Sequence, residues 1–394
     1  MTLLQAVPVS RVSVRTWLSI AVLAVGAFVL VATEFLPVGV LPLVADELNV
    51  SLGTAGLMIL VPGLAAAVAA PLVVIGSNRL DRRWLMAGLL AVLVFSNVLV
   101  AAAPNFALVL LGRVLVGVAL GGFWAVGPSL GFRLAGEEKG TRATSIILAG
   151  VSVGTVVALP IGQFVGDTLG WRSVFAAAAV LSGIALVALV LLLPAITPAR
   201  ALGGRDLLRV FRSPMARTGL LISVLLFSGQ FAASTFITPF LDQQARLDPR
   251  LITMLFLAYG VAGIAGTLFG PILIARGPRA TLMGTAVTTS LVFLLLVVLQ
   301  HFELGVGVLV VGWGLLWGMI PLQLQTWMMA ALPDAREAAS AVLVSVLQLS
   351  IALGSLAGAF LVDSAGLSVN LLVAAAVVLV SAVVPLMVRA TVRA

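Results

Sequence analysis

The feature that most constrains this chain is a succession of apolar stretches, each about as long as a bilayer is thick, separated by short polar connections. A helix of about 20 apolar residues crosses the hydrocarbon core, and such stretches lie near 17–41, 52–76, 84–103, 106–131, 143–166, 171–194, 216–240, 251–275, 280–300, 303–330, 338–362 and 367–388. Backbone groups immersed in lipid must be satisfied inside the segment itself, which leaves the helix as the structure each stretch can adopt. Charged residues make up 9% of the chain, against about 25% in soluble domains. These observations predict an all-α polytopic membrane protein with twelve transmembrane helices.

The arginines pick out alternate connections. One set carries Arg79, Arg82 and Arg83; Arg133, Lys139 and Arg142; Arg200, Arg205, Arg209, Arg212 and Arg217; Arg276 and Arg279; and Arg336. The opposite set carries Asp46, Glu47, Asp167, Asp242, Asp248, Glu303 and Asp363, with Arg172, Arg246 and Arg250 as its basic residues. The positive-inside rule then places both termini in the cytoplasm. The net charge of +8 is on this reading a topology signal and not a nucleic-acid footprint. Arg11 and Arg15 precede an apolar run too long for a cleaved signal segment, so the first span is expected to stay. With no cysteine, disulfide and thiol chemistry are excluded, and the single histidine, His301, falls in an expected loop.

The connection from Thr197 to Ala216 contains Pro198, Gly203, Gly204 and Pro214 and divides the chain near its midpoint. It reads as a linker (197–216) between residues 1–196 and 217–394, six spans each. Internal echoes support a duplication: Asp167-x-x-Gly170 before span six returns as Asp363-x-x-Gly366 before span twelve, and Gly76 with its arginine loop returns as Gly270 with Arg276-Gly-Pro-Arg279.

Four stretches carry a family likeness. Gly150 to Arg172 has glycines at 150, 154, 162 and 166, Pro160, and a closing Gly-Trp-Arg. Each glycine pair lies on one helix face, where small residues let helices approach closely in lipid, and the internal proline removes one backbone donor. The connection Gly76 to Arg83 contains Asp81, Arg82 and Arg83; span four contains Arg113-x-x-x-Gly117; and span one contains Thr33-Glu34-Phe35-Leu-Pro37-Val-Gly39. Together these resemble the major facilitator superfamily, in its drug and sugar proton-antiporter branch, which includes sugar efflux and chloramphenicol-type efflux transporters. The resemblance implies the major facilitator fold, two pseudo-symmetric six-helix halves with the substrate site at mid-depth between them.

An ionisable side chain inside a span costs about 2.5–3.5 kcal/mol on insertion scales and is by default functional. Glu34 and Arg113 are the two that qualify. An apolar cavity favours the neutral form of a carboxyl group and a neighbouring arginine the ionised form, so relative movement of the two would load and release a proton. The resemblance casts Glu34 as proton acceptor and Arg113 as its partner; the alternative is a static ion pair. By the same resemblance Asp81, Arg82 and Arg83 act at the gate, and Gly150, Gly154, Pro160 and Gly162 in conformational change. Uncharged polar groups within spans mark an expected substrate surface: Asn97, Trp124, Gln230, Thr235, Gln323, Trp327 and Gln348, with helix-to-helix hydrogen bonding as the competing role for each.

No cluster of catalytic or metal-ligating residues falls within the spans, no G-x-x-x-x-G-K-[ST] occurs, and no charged or carbonyl-rich selectivity segment is visible. Secondary transport is therefore expected, with no enzymatic activity and no cofactor or metal. The expected function is proton-coupled export of small molecules, sugars or drugs such as amphenicols, by a monomer in the bacterial cytoplasmic (inner) membrane. Its expected partners are the substrate, protons and lipid. Nucleoside or amino-acid export, uniport and a sensor without proton coupling are the alternatives.

Overall fold

A computed structural model describes residues 13–77, 79–198 and 202–387. Helices begin where the sequence supplies a capping side chain. Ser13 Oγ accepts from the Thr16 amide at 3.2 Å, Asp81 Oδ1 from Arg83 at 2.8 Å, Asn105 Oδ1 from Leu108 at 3.0 Å and Asp248 Oδ1 from Arg250 at 2.8 Å. Each satisfies a donor that a first helical turn leaves unpaired. Pro214, Pro249 and Pro278 stand at the first helical position, where a missing N–H is harmless.

The first three spanning helices are α1 (Val14–Glu47), α2 (Leu57–Gly76) and α3 (Arg82–Ala101). A helical run then continues from Phe106 to Leu169, 64 residues, which if straight would be roughly 96 Å long, about three times the hydrocarbon thickness. It breaks at Gly136, where φ is 76° and ψ 173°, a conformation that glycine adopts without a Cβ penalty. The break yields α4 (106–135) and α5 (137–169), so the stretch between spans four and five, expected as a loop, is helical on both sides of one glycine. The rest are α6 (Trp171–Leu192), α7 (Pro214–Thr235), α8 (Pro249–Arg276), α9 (Pro278–Val298), α10 (Glu303–Ala331), α11 (Arg336–Ala365) and α12 (Leu367–Val383). The twelve expected spans are thus present. Span seven is shorter than expected: regular helix stops at Phe236, followed by a turn at Ile237–Pro239 and a π-helical turn at Phe240–Gln244.

The linker holds a helix at Gly204–Arg212. Asp206 caps it by accepting from the Gly203 amide at 3.0 Å, and Arg209 ties it to Asp334 at 3.0 Å, just before α11. Arg11 and Arg200 lie outside the described residues. Pro160 is helical in its backbone, but its side chain is likewise outside what is described.

The halves α1–α6 and α7–α12 repeat one packing scheme built on close glycine contacts, as expected where lipid removes the hydrophobic drive between helices. On α5, Gly150, Gly154, Gly162 and Gly166 face α1; a Cβ on Gly154 would sit 3.0 Å from the Phe28 carbonyl oxygen, and one on Gly162 3.1 Å from Leu36. On α11, Gly354 and Gly358 meet α7 at Ser228 and Ala232. Gly117 and Gly121 on α4 abut Pro62 and Ala66 of α2, as Gly314 and Gly318 on α10 abut Tyr259 and Gly263 of α8. The Asp167/Asp363 echo is structural too: Gly170 and Gly366, with φ of 82° and 91°, end α5 and α11. Outward-facing side chains such as Val68, Phe164, Leu191, Leu356 and Phe360 are apolar and exposed, as a lipid-facing surface requires.

Candidate functional site

The two halves meet where α2 lies against α11 and α5 against α8. At the end carrying the arginine-rich connections they are closed. Arg82, 1% exposed, is the centre of this closure. Its Nε donates to Glu337 Oε1 of α11 at 2.8 Å, its Nη2 reaches Oε2, and its Nη1 donates to the carbonyls of Ser77 at 2.7 Å and Leu80 at 3.0 Å. Arg133 approaches Glu337 at 3.8 Å, and Arg336 pairs with Glu137 at 2.7 Å. Burial lowers the pKa of Arg133, Glu337 opposing and Arg82 reinforcing the change. Of the expected gate residues, Arg82 crosses between halves. Asp81 caps α3, and Arg83 donates to the Val190 carbonyl and lies over Trp84.

Leu148, Ile274 and Leu322 form an apolar floor, with Trp124 and Val151 packed against it. Beyond that floor a cavity of about 520 Å³ opens between α5, α8 and α10, within the range of small-molecule sites. Its α5 wall presents Ser152, Thr155 and Gln163, and its other wall Thr253, Phe256, Tyr259 and Trp317. The aromatic wall is held from behind. Trp317 packs on Phe227 and Phe231, with ring centroids 5.0 and 5.8 Å away. Tyr259 meets Trp313 edge-on at 5.4 Å. Gln230 bridges the two, accepting from Trp313 Nε1 at 2.8 Å and donating to the Tyr259 hydroxyl at 3.4 Å.

A second polar centre lies in the first half, toward the opposite end. Arg113, fully buried, directs its guanidinium to backbone: Nε to the Met58 carbonyl at 2.7 Å, Nη1 to Thr33 at 2.9 Å and Nη2 to Glu34 at 2.9 Å. Two of these acceptors are free for a definite reason. In a helix the carbonyl of residue i accepts from the amide of i+4, and the residues four beyond Thr33 and Met58 are Pro37 and Pro62, which have no N–H. Arg113 therefore ties together two proline-interrupted helices. Among the described residues no hydrogen bond or ion pair reaches the Glu34 carboxylate. Glu34 and Arg113 are thus neighbours through the main chain, not partners in a direct ion pair.

The seven residues expected at the substrate surface lie outside the cavity lining. Asn97 bonds Thr33 and Ser182 inside the first half. Trp124 stands beside the floor. Gln230 supports the aromatic wall from behind. Thr235 bonds Ser355 and Gln323 bonds Thr285, while Trp327 donates to the Met215 carbonyl. Gln348 lies on α11 opposite Gly63 of α2. The cavity residues Tyr259, Trp317 and Gln163, and Glu337 at the closure, did not stand out in the sequence. Two signals were available: Tyr259 is the chain's single tyrosine, and Glu337 is an acid amid the arginine-rich connections.

Comparison with known proteins agrees with this architecture. The chain is 35% identical over 374 residues to the transcription regulatory protein OpdE of Pseudomonas aeruginosa, covering 93% of this chain and 92% of that one. It is 32% identical over 368 residues to the purine ribonucleoside efflux pump NepI of Salmonella paratyphi B, covering 93% of each. Its fold matches that of the human organic anion transporter MFSD10 (TETRAN) with a TM-score of 0.76 at 18% identity, covering 94% of this chain and 99% of that one. The sequence profile of the Major Facilitator Superfamily matches residues 23–345. Twelve spans in two halves, an interfacial cavity and this match have one reading: the chain is a multi-pass membrane protein and belongs to the Major Facilitator Superfamily.

Proposed function

We propose that this protein exports small polar molecules bearing a planar ring across the bacterial cytoplasmic membrane, by alternating access coupled to protons. Purine ribonucleosides stand first among its substrates, ahead of the sugars and amphenicols that the sequence favours. The observation that carries this reading is the cavity, in which an aromatic wall of Tyr259, Trp317 and Phe256 faces hydroxyl and amide groups of Ser152, Thr155 and Gln163. A base would lie against the rings, and ribose hydroxyls would bond the α5 side. The similarity to a purine ribonucleoside efflux pump supports the same class. With the arginine-rich end cytoplasmic, the closed side faces the cytoplasm, the cavity faces outward and both termini are inside. Residues 1–196 and 217–394 move as the two bodies, joined by 197–216. Glu34 is the proton acceptor: it is an intramembrane carboxyl with no hydrogen-bond partner among the described residues, and such groups are functional by default.

The test is uptake into inside-out vesicles energised with a pH gradient, using a labelled purine ribonucleoside, a sugar and an amphenicol, with and without protonophore. Uphill nucleoside accumulation that the protonophore abolishes, and that Trp317→Ala weakens through KM, is the expected result. Absence of transport for all three, with gene expression altered when the protein is removed, would replace the transport reading with a sensor.

A further inference from the structure

Two hydrogen bonds between the halves share an unusual construction. Pro71 of α2 and Pro271 of α8 lack the N–H that would bond the carbonyls of Ala67 and Thr267. In each case a serine from the other half takes the freed carbonyl: Ser345 Oγ of α11 donates to Ala67 at 2.5 Å, and Ser145 Oγ of α5 donates to Thr267 at 2.5 Å. Corresponding members are each 200 positions apart in the chain (67 and 267, 71 and 271, 145 and 345). The two bonds are therefore counterparts under the duplication, with donor and acceptor halves exchanged. Both lie at one depth toward the arginine-rich end, Thr267 in the cavity lining: Ala67 and Thr267 are each nine residues from the ends of α2 and α8 at Gly76 and Arg276.

We propose that Ser145 and Ser345 are positioning residues for transport, a symmetric pair of latches that hold the cytoplasmic end closed by satisfying carbonyls that proline has released. The closed state needs the serines because proline has removed the helical amide that would bond each oxygen, and buried carbonyls left without a donor are costly. When the halves part, water replaces them, and Ser345 has a second acceptor ready in the Ala341 carbonyl of its own helix, already at 3.2 Å. A neutral hydrogen bond suits this duty. It can break in every cycle, whereas a carbonyl left bare in the closed state shifts the balance toward opening by about tenfold for each latch lost. The direction of the effect rests on the alternating opening proposed above.

The experiment uses the full chain, purified in lipid nanodiscs, with Ala341→Cys as the sole thiol, since the natural chain has none. Ala341 is buried, one turn from Ser345 toward the closed end, so its maleimide labelling rate follows the fraction of molecules open there. Ser345→Ala and Ser145→Ala should each raise the rate about tenfold, and Ser345→Thr, which keeps the hydroxyl, should leave it within twofold of the parent. The decisive arm is Pro71→Ala. It restores the helical N–H, so adding Ser345→Ala in that background should change the rate by less than about twofold. An equal rise with and without Pro71, a rise in Ser345→Thr matching that in Ser345→Ala, or no rise in folded Ser→Ala protein would each overturn the latch. Labelling needs no substrate, so failure of the export assay and failure of the latch are separate results.

Discussion

Arg113 should stabilise the fold through carbonyls and not through Glu34, and the two roles give opposite results on mutation. The Arg113→Ala variant loses donors to Thr33 and Met58, whose helical partners are the N–H-less Pro37 and Pro62. Leaving each buried carbonyl bare costs about 1–3 kcal/mol, so the loss should total about 2–6 kcal/mol. Glu34→Gln leaves all three Arg113 bonds in place, because they end on main-chain oxygens, and should cost under about 1 kcal/mol. Restoring a donor tests the cause: in the Arg113→Ala background, Pro37→Ala supplies an N–H to Thr33 and should return about 1–3 kcal/mol. Unfolding free energies from titration of mixed micelles with a denaturing detergent would measure all four proteins. Equal destabilisation by Glu34→Gln and Arg113→Ala, or no recovery on adding Pro37→Ala, would refute the strut and restore the direct ion pair.

Three further outcomes follow from the same geometry. Gly154→Leu should abolish export while membrane insertion, read from yield in the membrane fraction, stays near normal, because the new side chain meets the Phe28 carbonyl of α1. If Glu34 is the proposed proton acceptor, Glu34→Gln should lose uphill export yet still bind substrate, with an affinity that no longer varies with pH; retained uphill transport would remove Glu34 from the coupling. Reporters fused after Arg209 and Arg279 should be cytoplasmic and one after Asp248 external, and a cytoplasmic signal at Asp248 would reverse the orientation.

What the sequence disclosed follows the reach of each physical signal. Hydropathy gave the twelve spans within a few residues, since lipid demands an apolar stretch of about 20 residues from every span, whatever polar turns extend it. It missed the helical bridge around Gly136 and the helix Gly204–Arg212, which lie outside the hydrocarbon, where polarity no longer separates helix from loop. The spacing of Gly150 and Gly154 announced a tight contact, and the partner turned out to be α1. Charge within the spans singled out Glu34 and Arg113, yet not what Arg113 bonds, because backbone acceptors have no sequence letter of their own. Polarity within the spans did not by itself point to the cavity, which sets aromatic side chains opposite Ser152, Thr155 and Gln163. Asn97, Gln323 and Trp327 are spent on helix-to-helix bonds, while the exposed wall is built largely from aromatic and small side chains around Tyr259 and Trp317.

Four of the prolines explain where these cross-helix bonds fall. Pro37, Pro62, Pro71 and Pro271 each free the carbonyl four residues before, at Thr33, Met58, Ala67 and Thr267, and each of those carbonyls is taken by a side chain from another helix. In water a freed carbonyl would be hydrated and make no demand on the fold. In a membrane it favours a donor, and at these four prolines a neighbouring helix supplies one, whereas at Pro42 and Pro321 no such side-chain bond is found among the described residues. The donors then divide by strength. The two acceptors within the first half receive the charged Arg113, whose hydrogen bonds are roughly twice as strong as neutral ones, and the two between halves receive serine hydroxyls. The surface between the halves carries both kinds of contact, the charged Arg82–Glu337 pair at the closed end and the two serine bonds deeper in, so the proline-freed carbonyls account for neutral contacts between the halves and for charged ones within the first.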